Sequence, residues 1–175
     1  MFDGVVKRGR RRPLFEDGEN TQVVELGREA LERMLPHRDP FLMLDSVDRI
    51  DFEQKAIRTL RRVSPDDPVF AGHFPGDPVY PGVLLIEGIG QTGIVLQHLL
   101  RRGDAGVDET DKPRALRLTK VHHAAFLGAV RPGDEIEYRA VCIEDSDYVS
   151  VCAGQVIKAG QVVALAVFEV FMLED

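Results

Sequence analysis

The chain of 175 residues has no tryptophan, three tyrosines and two cysteines, and its net charge of −7 leaves no basic excess. Two cysteines cannot build the framework of a disulfide-rich secreted domain. Cys142 and Cys152 stand ten positions apart, with neither metal-ligand spacing nor a redox CxxC, and read as buried thiols in a reducing cytoplasm. The acidic balance argues against a general nucleic-acid binder. A local basic run, Lys7, Arg8, Arg10, Arg11 and Arg12, reads as a solvated tail, with a docking site for an acidic partner as the alternative. No apolar h-region opens the chain, so no secretory signal is expected. The one long apolar stretch, Val83–Leu100, is broken by Glu87, Gln91, Gln97 and three glycines, which makes it a poor membrane span. No internal repeat or low-complexity segment is visible.

What remains is an ordinary globular composition, 44% hydrophobic and 29% charged, at a length suited to one domain with one core. Residues 1–22 lack apolar periodicity and are expected to form a mobile or loosely attached extension; residues 23–175 form the domain. Val23–Leu35 predicts a short amphipathic helix ended by Pro36. Phe41–Ile50 and Ala56–Val63 predict strands, and Ser64–Gly82, with five prolines, predicts irregular structure. Gly82–Arg102 is the long helix candidate: Pro81 precedes it, and Arg101, Arg102 and Gly103 mark its end. Its glycines, Gly88, Gly90 and Gly93, each cost about 1 kcal/mol relative to alanine, tolerable where a sheet packs closely on the helix. Arg114–Leu127, Asp134–Glu144, Tyr148–Lys158 and Gln161–Leu173 then predict four long strands, joined as antiparallel neighbours by short turns. One buried helix with an antiparallel sheet on it is an α+β domain.

The chemistry concentrates in 71–91. Glu87 is a lone acid on an otherwise apolar helix, a setting that penalises the carboxylate and favours a general acid. His73 lies fourteen residues upstream in a Gly/Pro-rich turn and offers a base. The helix N-terminus supplies unpaired N–H groups, and Gly82 leaves its own accessible to a carbonyl oxygen. Gln91, one turn beyond Glu87, shares its side of the helix, as does His98. A base, an acid and an oxyanion site suit proton abstraction beside a carbonyl with loss of a β-leaving group, as in dehydration of a 3-hydroxyacyl compound.

Three segments, LPHRDPFLMLD (35–45), AGHFPGDPVYPGVLLIEGIGQ (71–91) and AVRPGD (129–134), resemble in order and spacing the signature segments of the 3-hydroxyacyl-acyl carrier protein dehydratases of the FabZ type. The resemblance covers roughly Leu35 to Leu173. It implies a hotdog fold, a long central helix wrapped by a curved antiparallel sheet. It also implies a homodimer, with a trimer of dimers as a further assembly, whose active sites each join the histidine of one subunit to the acid of the other. His73 and Glu87 match the catalytic pair, Gly82 the glycine whose N–H meets the thioester carbonyl, Gln91 the glutamine beyond the acid, and Val79 the residue whose carbonyl orients the histidine ring. The implied reaction converts a (3R)-3-hydroxyacyl-acyl carrier protein into the trans-2-enoyl product without metal or organic cofactor, in the cytoplasm, with no nucleic acid or membrane span involved.

Departures from the family's pattern are Tyr80 in place of Met and Asp39 in place of Tyr, both expected to reshape the mouth of the acyl tunnel, and His122-His123-Ala124-Ala125 in place of an acidic-Ala-basic run. Phe74 and Phe126 are core or tunnel residues. Adjacent His122 and His123 point to opposite faces of a strand and cannot chelate one metal together. His37 reads as a structural hydrogen-bonding residue, His98 as a dipole partner or interface residue. Arg58, Arg61, Arg62, Arg101 and Arg102 read as mostly solvated. The alternatives are another hotdog thioester enzyme, a thioesterase or enoyl-CoA hydratase, and a non-catalytic acyl-carrier binding subunit.

Overall fold

In the computed structural model, which describes residues 2–173, the apolar run becomes helix α3 (Gly82–Arg102) within the bounds its sequence signals set. Gly103 ends it in the left-handed conformation at φ 82°, its N–H closing on the Leu99 carbonyl. Leu85, Gly88, Ile89, Thr92, Val95, Leu96 and Leu99 are buried, at the spacing of one helical face. Although α3 is long and apolar enough to cross a membrane, much of it is inside the protein.

Preceding α3 are α1 (Asp3–Gly9), β1 (Gln22–Leu26), α2 (Arg28–Met34), β2 (Ser46–Asp51) and β3 (Ala56–Arg62). After it come β4 (Leu116–Phe126), β5 (Glu135–Asp145), β6 (Val149–Lys158) and β7 (Gln161–Met172). All seven strands form one antiparallel sheet in the order β1-β2-β3-β5-β6-β7-β4, which curves over α3. This is the expected α+β hotdog arrangement. Close approach explains one of the three interior glycines. A Cβ on Gly88 would lie 2.3 Å from the buried Tyr138 ring, whereas one on Gly93 would make only ordinary contact with Cys152. Gly90 has nothing of the protein over it.

Several local expectations are corrected. β4 and β5 follow each other closely in sequence but are not neighbours; β4 pairs with β7 at the far edge. The link between them crosses the start of α3: Leu127 and Gly128 donate to Val163 on β7, Tyr80 donates to Val130, and Gly133 donates to Val63 after β3. Val23–Leu35 is two elements, because the β-branched Val23-Val24 pair joins β2 as β1 and Gly27 turns the chain into α2. The strand expected from Phe41 begins only at Ser46. The preceding residues are held irregularly by side chains, as where Arg61 donates to the Leu42 carbonyl.

The N-terminal segment, expected to be mobile, is laid against the outer face of the sheet. Phe2, Val5, Val6 and Leu14 pack on Val151, Ala153 and Val167, and Phe15 is fully buried. Buried Gln155 accepts from the Leu14 N–H and donates to the carbonyls of Gly9 and Arg12, and Arg139 donates to Phe15 O. The apolar residues there are too few and too irregularly spaced to show a period. What anchors them is distant in sequence. The arginines expected to be solvated are partly engaged with the chain's own acids: Arg58 with Asp48, Arg102 with Asp104, Asp108 and Asp111.

Candidate active site

One side of α3 faces a cavity of about 520 Å³, with Val83, Ile86, Glu87, Gly90, Ile94 and Gln97 forming one wall. The start of β4, Pro36 and His37, and Cys152 and Phe168 from the sheet line the rest. The open space over Gly90 belongs to this cavity, so that glycine leaves room for something other than the chain's own side chains.

Glu87 is the acid of this wall, 31% exposed in the single chain. Gln91 fixes its carboxyl. The Gln91 amide is fully buried; its Oε1 accepts the Met43 N–H at 2.8 Å, and its Nε2 donates to Phe41 O and to Glu87 Oε1, both at 2.8 Å. A backbone N–H can only donate and a carbonyl can only accept, so the amide orientation is unambiguous. Glu87 Oε1 is therefore occupied as an acceptor, which leaves Oε2 as the oxygen able to carry and release a proton. The Glu-x-x-x-Gln spacing is the sequence signal for this contact, but the clamp on residues 41–43 is visible only in three dimensions.

His73 sits in the turn before α3. Its Nδ1 is 2.7 Å from Val79 O, and since that oxygen only accepts, Nδ1 carries the hydrogen, which in the neutral ring leaves the lone pair on Nε2. The backbone repeats the pairing, with Val79 N–H donating to His73 O. Phe74 stacks on the imidazole at 4.1 Å and is otherwise exposed. Arg131 ties the turn to the 128–134 link through Asp77 Oδ1 and Pro78 O. Gly82, first residue of α3, has no helical partner for its N–H. A Cβ on it would come within 2.6 Å of the Phe126 ring, which lies over the helix start and is half exposed.

Within one chain the site residues do not all meet. The cavity beside Glu87 is not lined by His73, Phe74 or Phe126. Tyr80, expected at a tunnel mouth, is in the core: its hydroxyl reaches Met43 Sδ at 3.3 Å, its ring lies beneath the Arg61 guanidinium, and burial raises its phenol above the ordinary range. Asp39, also placed at the mouth, is exposed and paired with Arg28. His37, expected to be structural, turns toward the acid instead, with Nε2 3.5 Å from Glu87 Oε1. His98 pairs with Asp111 and His122 with Glu169, both away from the acid.

Residues 35–167 match the FabA-like domain family. The 3-hydroxyacyl-[acyl-carrier-protein] dehydratase FabZ of a Nitratiruptor species is 35% identical over 144 residues, 82% of this chain and 95% of that protein. The enzyme of the same name from Aliarcobacter butzleri is 33% identical over the same shares. Among solved structures, the dehydratase heterocomplex ApeI:P from Xenorhabdus doucetiae has a similar fold, with a TM-score of 0.63 at 19% identity over 83% of this chain and 91% of that one. The TT0310 protein of Thermus thermophilus is similar at a TM-score of 0.53 and 19% identity, covering 78% of this chain and all of that one.

Proposed function

The chain belongs to the FabA-like domain family, and from that premise we propose that it dehydrates (3R)-3-hydroxyacyl chains carried as thioesters on acyl carrier protein, in the synthesis of fatty acids or related acyl chains in the cytoplasm. The observation that carries this reading is the pair of fixed protonation sites: a histidine whose Nε2 is free and a carboxyl whose Oε2 is free. In the reaction, His73 Nε2 removes the C2 proton of the substrate. The Gly82 N–H, at the positive end of α3, stabilises the oxygen of the developing enolate. Glu87 delivers a proton from Oε2 to the departing C3 hydroxyl, and a trans-2-enoyl thioester and water leave.

A homodimer completes this site, His73 of each subunit serving the Glu87 of its partner. Two features support it. His73 does not line the Glu87 cavity of its own chain, and β4 is a sheet edge that leaves Leu118, Val121 and Phe126 exposed. An apolar edge strand invites pairing with a second copy. Further association into a trimer of dimers is read from the mass of the assembly in solution.

Incubation of the protein with a 3-hydroxyacyl carrier protein is expected to give the ultraviolet absorbance of a conjugated enoyl thioester, with His73→Ala and Glu87→Gln each lowering turnover by at least a hundredfold. Mixing the two inactive variants is expected to restore part of the activity, since mixed dimers contain one intact site. Release of free thiol without enoyl formation identifies a thioesterase and rejects the proposal, as does wild-type turnover in His73→Ala.

A further inference from the structure

Cys142 and Cys152, ten residues apart in sequence, stand directly opposite each other on β5 and β6. The kind of position they share can be worked out from the backbone. The Cys142 N–H donates to Lys55 O on the β3 side, 2.9 Å away. In an antiparallel strand the N–H and C=O of one residue point the same way, so toward β6 Cys142 occupies a non-hydrogen-bonded position. Facing residues there have Cα atoms about 4.5 Å apart, with side chains on the same face, inside the range a disulfide spans.

The side chains agree with this. Both sulfurs turn toward α3, where the one Gln97 amide donates to Cys142 Sγ at 3.1 Å and to Cys152 Sγ at 3.7 Å. Cys152 is buried but lines the cavity beside Glu87, and Cys142 is partly exposed. Hydrogen bonding from the Cys152 thiol, reinforced by Gln97, pulls the partly exposed Cys142 thiol below its ordinary value against the opposing effects of burial and of Asp145. The same contact, with burial, holds Cys152 well above its ordinary value. One thiol is thus set up as a nucleophile and the other as its protonated neighbour.

We infer that Cys142 and Cys152 form an oxidant-modifiable dithiol site that closes to an intrachain disulfide when it meets a hydroperoxide. The Cys142 thiolate attacks one peroxide oxygen, the O–O bond breaks, and Cys142 becomes a sulfenic acid as water or an alcohol departs. The Cys152 sulfur then attacks Cys142 Sγ, the S–O bond breaks, and hydroxide leaves with the Cys152 proton as water. The dithiol loses two electrons and the peroxide gains them. Closure takes from Gln97 the thiolate it donates to and binds β5 to β6 at the cavity wall.

The test uses the full-length protein, treated with hydrogen peroxide and read by intact mass and by tryptic peptides without reduction. Wild type is expected to lose two mass units and both titratable thiols, to yield the tryptic peptide 140–158 two mass units lighter and bridged internally between Cys142 and Cys152, and to recover fully with dithiothreitol. Cys152→Ser is expected to stop at an alkylatable sulfenic acid on Cys142, and Cys142→Ser to react at least tenfold more slowly. Cross-linked dimers, sulfinic or sulfonic acid on wild-type Cys142 in place of the linkage, or thiols inert to peroxide under native conditions would each overturn the inference. Because the reading is covalent, it stands or falls independently of dehydratase turnover.

Discussion

Replacing Gln91 by leucine tests whether the clamp on Glu87 is both structural and functional. Three hydrogen bonds disappear, and they are not equal. The Met43 N–H is buried and loses its acceptor, which costs about 1–3 kcal/mol. The Phe41 carbonyl belongs to a half-exposed residue and finds water. The bond to the partly exposed Glu87 carboxyl is worth at most about 0.5 kcal/mol after solvent screening. Leucine returns about 1 kcal/mol through its own burial, so the net loss lies between about 0 and 2.5 kcal/mol. At this chain length each kcal/mol moves the melting temperature by about 2–4 °C, well within calorimetric precision. Turnover is expected to fall further than stability does, by tenfold or more in kcat with a smaller change in KM, because the freed carboxyl no longer presents Oε2 in one direction. Gln91→Glu keeps the acceptor for Met43, but its buried carboxylate would face the Glu87 carboxyl and the Phe41 carbonyl with no donor for either, so it is expected to lose more stability than leucine and to be no more active. A leucine variant that melts with the wild type and keeps its kcat would refute the clamp.

Alanine at Gly88 places a methyl 2.3 Å from the buried Tyr138 ring, and the expected cost is about 3 kcal/mol or more, measured by urea unfolding. Alanine at Gly82 instead meets the half-exposed Phe126 ring, which can swing away; stability is expected to change by less than about 1 kcal/mol while kcat/KM falls, and removing the ring in Gly82→Ala/Phe126→Ala is expected to leave the helix start unstrained. Asp51 is buried, which pushes its carboxyl up, but hydrogen bonds from Gln54, Thr21 and the Glu53 N–H outweigh burial and hold it below the ordinary range. A depressed carboxyl stabilises the fold above its unfolded pKa, near 4, and that contribution is lost as pH falls through the lower folded value. Asp51→Asn is accordingly expected to lose about 1–3 kcal/mol at pH 7, with the gap to wild type narrowing in denaturation curves below about pH 4.

The parts of the fold that were legible in the sequence are those whose signals are local. α3 announces itself through Pro81, an apolar face and Arg101-Arg102-Gly103, and β5, β6 and β7 through short polar turns. Non-local pairing left no such mark. β4 looks like the next strand before β5, and nothing in residues 127–134 says that the link crosses the start of α3. The same limit hid the docking of residues 2–16, whose partners, Gln155, Arg139 and Val167, come more than a hundred residues later. In the site, Glu87 and Gln91 could be joined from helical spacing alone. The Val79 carbonyl was assigned to His73 only through family resemblance. The approach of His37 to Glu87 needed coordinates, and so did the facing of Cys142 and Cys152, because a strand register one residue different would turn one thiol to the other face.

Tyr80 shows why a substitution at a signature position need not act where the position is expected to act. A residue just before α3 invites the inference that it borders the substrate. Here the Tyr80 N–H is bound to Val130, which fixes the backbone as the chain turns into α3. Its ring points inward, packing near Phe70 and beneath Arg61 with the hydroxyl on Met43 Sδ. Met43 is also the residue whose N–H Gln91 accepts. The aromatic side chain thus bears on the same short segment that holds the Glu87 carboxyl through Gln91, and its connection to the site runs through packing behind the acid, not through the mouth of the cavity in front of it.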